Sequence, residues 1–105
     1  MSAYINEPQI HKEDVLKIDD GDFNLQNVCV VTGAGNGIGR ATAVTAAVNN
    51  LITVGLDVDE AAGQKTQTIA RELGGQMIFL RTDLTKDSDM EHAVKEAAKL
   101  GNIRY

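Results

Sequence analysis

Three short runs of apolar and β-branched residues alternate with three longer stretches in which apolar residues recur at helical spacing. Val28 to Thr32, Leu51 to Leu56 and Gln76 to Arg81 read as strands. The near-continuous apolar character of the first suits a strand buried on both faces, as parallel sheets require. The first helix is predicted from about Gly37 to Asn49, with Ile38, Ala41, Thr45 and Val48 on one face. Its small residues Ala41, Ala43, Ala46 and Ala47 allow close approach to a sheet. Asn49 and Asn50 end it, because Asn tolerates the left-handed conformation of helix C-termini. A second helix spans roughly Asp59 to Leu73, with Ala62, Thr66, Ile69, Ala70 and Leu73 together, and stops at Gly74–Gly75. The third covers about Ser88 to Leu100, with a stripe of Met90, Ala93, Val94, Ala97 and Ala98, a capping box of Ser88 and Glu91, and Gly101 as its end. His92 falls off that stripe and is expected in solvent.

The sharpest feature is the break after the first strand, where Val28–Cys29–Val30–Val31–Thr32 gives way to Gly33–Ala34–Gly35–Asn36–Gly37–Ile38–Gly39–Arg40. Each glycine has a physical task. Gly33 permits the sharp strand-to-helix turn. Gly37 lets a bulky anion reach the backbone, and Gly39 allows the helix to pack closely on the strand. The N–H groups and positive dipole end of the helix complete an anion site suited to a pyrophosphate. The G-x-G-x-x-G spacing fails, because its third glycine would fall on Ile38 or Arg40; T-G-x-x-x-G-x-G fits.

The second strand delivers Asp57, 18 residues past Gly39 and 24 past Gly33, where a Rossmann unit places its ribose-binding acid. A carboxylate there accepts from both adenosine ribose hydroxyls and repels a 2′-phosphate. Asn36, before Gly37, offers that phosphate no base, so NAD is favoured over NADP. Val58 is placed to face the adenine. The predicted architecture is α/β: a Rossmann-like doubly wound parallel sheet, its βαβαβα half in strand order 3-2-1, truncated before a fourth strand.

Composition sets the limits. The chain of 105 residues, 43% hydrophobic and 24% charged, is one small domain. Its formal charge of −5 argues against nucleic acid as a partner. No run of about 18 apolar residues or targeting pattern is present, which makes the cytoplasm the expected location. Residues 1–25 form an acidic arm, with Glu7, Glu13, Asp14, Asp19, Asp20 and Asp22 against Lys12 and Lys17; it also holds the only proline, Pro8. Residues 26–105 form the body. No metal site is expected: Asp19–Asp20–Gly21–Asp22 lacks EF-hand spacing, and His11 has no metal-spaced partner. Cys29 reads as a small buried apolar residue.

Thr32, Gly33, Gly37, Ile38 and Gly39 together fill T-G-x-x-x-G-I-G, which resembles the cofactor motif of the short-chain dehydrogenase/reductase family. In that family a D-V/L-T/S element after the third strand holds the adenine, and Asp83, Leu84 and Thr85 match it. The resemblance implies an NAD-dependent oxidoreductase that passes a hydride between nicotinamide and an alcohol or carbonyl carbon. It implies binding roles for Gly33, Asn36, Gly37, Ile38 and Gly39 at the pyrophosphate turn, Asp57 and Val58 at the adenosine, and Asp83 and Leu84 at the adenine. It covers about residues 25–105 and only the cofactor half of the family chain. The family's fourth strand with its N-N-A-G element, catalytic Ser and Tyr-x-x-x-Lys have no counterpart: Tyr4 is followed four positions on by Pro8, and Tyr105 by nothing. The expectation is a fragment of such an enzyme, without catalytic residues of its own, binding NAD weakly. With no fourth strand, the first strand would be an exposed apolar edge prone to self-association.

Two other functions fit parts of the pattern. A nucleotide-binding or interaction module without chemistry describes the 105 residues taken alone. A methyltransferase is suggested by Gly33-x-Gly35-x-Gly37 with Asp57 for the ribose of S-adenosylmethionine. That family carries an acid two residues before the first glycine, where this chain has Val31; Gly39 and Asp83–Leu84–Thr85 also fit the dehydrogenase better.

Overall fold

The computed structural model describes residue 21 and residues 23–105. The acidic arm, with Pro8, His11 and Tyr4, lies almost wholly outside them. The elements run β1 (Asn27–Thr32), α1 (Gly37–Val48), β2 (Ile52–Asp57), α2 (Glu60–Glu72), β3 (Gln76–Arg81), α3 (Asp87–Ala98) and β4 (Asn102–Ile103). All strands are parallel and lie in the order β3-β2-β1-β4. Val30 pairs with Val54, and Val54 with Ile78, so the first three strands are in register across the sheet.

The α/β parallel architecture is as expected, but the truncation before a fourth strand is corrected. Asn27 pairs with Asn102 and Val28 with Ile103. The Arg104 N–H donates to the Val28 carbonyl at 3.0 Å, and the Val30 N–H donates to the Tyr105 carbonyl at 3.1 Å. The lower half of β1 is therefore covered rather than an open edge. A two-residue strand has no period for a hydrophobic pattern to reveal, and long-range backbone pairing is what creates it.

The alternation of β1 splits the core into two layers. Cys29 and Val31 face α1 and α2, packing with Ala43, Val44, Ala47, Ala70 and Met77. Val28 and Val30 face α3, packing with Val54, Leu56, Ala93 and Ala97. Phe23 packs at the edge of the first layer and meets Tyr105 edge-on, ring centres 5.6 Å apart, while Leu25 is exposed.

The buried side of α1 differs from expectation. Arg40, Ala43, Val44, Ala47 and Val48 are buried, whereas Ile38 is 87% exposed and Ala41 is exposed. The cause lies at the helix start: a Cβ at Gly39 would stand 1.8 Å from the Gly33 carbonyl oxygen. That contact turns the Gly39–Ala43–Ala47 line inward and Ile38 outward. In α3, Ala93 and Ala97 are buried as expected, but Val94 and Ala98 are exposed. The expected capping box is absent. Lys86 is the N-cap and makes no side-chain cap bond; Asp89 Oδ2 instead accepts from the Asp83 N–H at 2.9 Å.

The other helix ends follow their sequence signals. Asn50 adopts φ +71° after α1. Asp59 caps α2, accepting from the Ala62 N–H, an interaction that contributes about 1 kcal/mol in typical helices. Along β3, Gln67 Oε1 accepts from the Phe79 N–H at 2.8 Å and Arg71 Nε donates to the Met77 carbonyl at 3.1 Å. Side chains of α2 thus occupy backbone groups that a bare sheet edge would offer to another chain.

Candidate functional site

The loops after β1, β2 and β3 all leave the sheet at its C-terminal edge, and every candidate binding residue lies in them or in the first turn of α1. In open parallel sheets this edge is where ligands bind. Gly33 and Gly37 have φ of +66° and +55°, the left-handed region that disfavours other residues. A Cβ at Gly37 would meet nothing within 4 Å, so its bare face is open space above the turn. Gly39 has the opposite character, half-buried with the space for a Cβ taken up by the Gly33 backbone.

Asn36 is the N-cap of α1 in an extended conformation, and its side chain makes no cap hydrogen bond. The first turn carries no acidic residue. The first N–H groups of any helix lack intrahelical partners, so this end presents donors and positive potential with no acid in the helix's own first turn to cancel them. Such a terminus suits a pyrophosphate.

Asp57 is joined to this turn directly. Its Oδ2 accepts from the Gly35 N–H at 2.9 Å, and its Oδ1 accepts from the Asp59 N–H at 3.0 Å. The carboxylate, at the tip of β2, is held beside the glycine turn with its remaining lone pairs able to accept from hydroxyls. Its backbone carbonyl accepts from the Thr82 N–H at 2.9 Å, which ties the end of β3 to the end of β2.

Asp83 serves its own loop. Its Oδ1 accepts from the Thr85 hydroxyl at 2.6 Å and the Thr85 N–H at 3.0 Å. The Thr85 hydroxyl, followed by its N–H, holds the Asp83 carboxyl below its ordinary pKa. Val58 and Leu84, in the adjacent loops after β2 and β3, are 55% and 51% exposed. Apolar side chains at such positions offer a surface to the face of a base. Ile38 stands exposed at the start of α1.

Sequence reasoning passed over Gly35, Arg40 and Thr66. Gly35 is buried, and a Cβ there would lie 2.7 Å from Asp57 Oδ2; its signal was the G-x-G-x-G spacing. Arg40 and Thr66 are buried polar residues that each bond to a group in another part of the fold. Thr66 was visible only as one position on a packing face. Cys29 is buried, which pushes its thiol pKa up. Among the described residues no group of side chains could hold a metal ion, and no helix is long and apolar enough to cross a membrane.

A parallel β-α-β-α-β-α sheet with a T-G-x-x-x-G-I-G turn and an acid at the tip of β2 defines a dinucleotide-binding Rossmann unit. The family model for short chain dehydrogenases matches residues 27–104, and the chain belongs to that family. It is 34% identical to an uncharacterized oxidoreductase of Thermotoga maritima over 73 residues, which are 70% of this chain and 28% of the relative. It is 32% identical to the 7α-hydroxysteroid dehydrogenase of Escherichia coli K12 over 84 residues, covering 78% of this chain and 33% of that protein. A short chain dehydrogenase/reductase from Burkholderia phymatum, crystallised in complex with NAD, superimposes with a TM-score of 0.70 at 34% identity, over 75% of this chain and 28% of that one. The chain thus spans about a third of the length of these relatives.

Proposed function

We propose that these residues are the cofactor-binding half of an NAD-dependent oxidoreductase that transfers a hydride between nicotinamide and an alcohol or carbonyl substrate. The observation that carries the reading is the joining of Asp57 to the glycine turn through the Gly35 N–H. It brings the ribose acceptor and the anion-binding helix terminus into one unit. Gly33, Asn36, Gly37, Ile38 and Gly39 form the pyrophosphate turn; Asp57 takes the adenosine ribose; Val58, Asp83 and Leu84 border the adenine. The open face of Gly37 and the acid-free start of α1 fit a dinucleotide diphosphate. When bound, NAD supplies the hydride acceptor.

NAD is preferred over NADP in this reading. A 2′-phosphate beside Asp57 sets like charges together, and Asn36 brings no positive charge to offset them. Titration calorimetry of the chain with each cofactor tests it. NAD should bind at least about tenfold more tightly than NADP, the equivalent of about 1.4 kcal/mol; equal affinities would sink the NAD assignment.

The 105 residues taken alone act as a binding module, because no tyrosine within them is followed four positions on by lysine. Binding of NAD without turnover of simple alcohols is the expected result, and measurable turnover by the isolated chain would refute it. The cytoplasm is the proposed location.

A further inference from the structure

We propose that Thr66, held by Arg40, is a positioning residue for the dinucleotide turn: the two fix the peptide between Ala34 and Gly35, and so fix the donor that Gly35 gives to Asp57. This rests on the dinucleotide reading of that turn.

Thr66 lies in the middle of α2 and is fully buried. Its hydroxyl has one proton to give. A helical threonine commonly spends it on the carbonyl four residues back, here Ala62 at 3.1 Å. The Ala34 carbonyl, 32 residues away in the glycine turn, is nearer at 2.8 Å, and the Gly35 carbonyl is farther at 3.4 Å. Arg40 favours the contact with Ala34 in two ways. Its Nε donates to Thr66 Oγ1 at 2.9 Å, which leaves the hydroxyl to act as donor toward the turn. Its Nη2 also donates to the Ala62 carbonyl at 3.4 Å, the competing acceptor.

The Ala34 carbonyl and the Gly35 N–H belong to one planar peptide unit and point in opposite directions across it. Thr66 holds one end and Asp57 Oδ2 the other. The donors therefore run in a single direction, from the Arg40 guanidinium to the Thr66 hydroxyl, through the peptide, to the Asp57 carboxylate. Hydrogen bonds aligned in this way polarise one another in a buried setting. The Ala34 N–H, bound to the Leu56 carbonyl at 3.1 Å, pins the residue from its other side. Arg40 is 6% exposed on the first turn of α1, where the helix dipole disfavours a cation. Its place in this chain of donors gives it a function there.

The test compares Thr66→Val, which keeps the shape and removes the hydroxyl, with Thr66→Ser, which restores it. The first readout is hydrogen exchange and the NMR shift of the Gly35 amide in the ligand-free chain. The second is NAD affinity by calorimetry. We expect Thr66→Val to speed Gly35 exchange and weaken NAD by about tenfold each, with Thr66→Ser within about twofold of the unaltered chain. Arg40→Gln should move the Gly35 amide in the same direction. If Thr66→Val does not fold, Thr66→Ala takes its place in the same comparison. An unmoved Gly35 amide, or a freed amide with unchanged NAD affinity, overturns the proposal. If the unaltered chain binds no NAD, the dinucleotide reading fails, and the exchange data alone decide whether Thr66 positions the turn.

Discussion

Asp57 and Gly35, 22 residues apart in the chain, meet through a 2.9 Å hydrogen bond from the glycine N–H to the carboxylate Oδ2. The bond joins the glycine turn to the tip of β2, the two features that the proposed function takes as anion-binding turn and ribose acceptor. Asp57→Ala removes both the proposed acceptor for ribose hydroxyls and the partner of Gly35. Hydrogen bonds to a charged group contribute about 2 kcal/mol, so NAD affinity should fall by about thirtyfold. Calorimetry on the variant checks this, and a loss under threefold would contradict it.

Gly37 and Gly39 should respond differently to alanine. At Gly37 the space is open and only the positive φ resists, so Gly37→Ala costs about 1–2 kcal/mol. On the proposed reading of the turn, that variant should fold and should bind NAD poorly in calorimetry. At Gly39 the new Cβ would collide with the Gly33 carbonyl, and backbone cannot yield cheaply, so the cost is about 3 kcal/mol or more. Thermal melts followed by circular dichroism should show Gly39→Ala melting more than about 10 °C below the unaltered chain.

Asp59 ties the loop after β2 to α2, accepting from the Ala62 N–H while its own N–H donates to Asp57. Asp59→Ala should destabilise the chain by about 1 kcal/mol and lower the melting point by about 4–8 °C. Asp59→Asn, which keeps the capping oxygen, should recover most of that loss.

The Asp83 carboxyl titrates below its ordinary value because the Thr85 hydroxyl, and then the Thr85 N–H, donate to its ionised form. A carboxyl lowered on folding stabilises the folded chain above its unfolded pKa, near 3.9. That contribution is lost as pH falls through the lower folded value. Thr85→Val should raise the Asp83 pKa, as read from its carboxyl carbon in an NMR titration. An unchanged titration midpoint would remove the hydroxyl as the cause.

We propose that the chain self-associates through the apolar side chains exposed at the start of α1 and beside β1. Ile103 and Tyr105, beside β1, and Ile38, at the start of α1, are exposed. Light scattering should show a mass that rises with concentration; a constant monomer mass would refute it.

The local levels of this structure were readable in the residue pattern. The three main strands and three helices lie within a few residues of their expected bounds, because hydrophobic period, Gly74–Gly75 and Asn50 act within a turn or two of chain. The glycine turn was readable for the same reason: positive φ at Gly33 and Gly37 is a property of single residues.

What tertiary structure decided were relations between residues distant in sequence. The contact of Gly39 with Gly33 set the rotation of α1, burying Arg40 and leaving Ile38 outside, where apolarity alone pointed the other way. The pairing of Asn102 and Ile103 with β1 made a strand from two residues that carry no pattern of their own. Thr66, to its sequence neighbours one more packing position, became the donor to Ala34 only when α2 closed over the turn. Sequence period reports which side of an element is apolar. Which polar groups meet across elements depends on how close two backbones can come, and here the small residues at their contact set that distance.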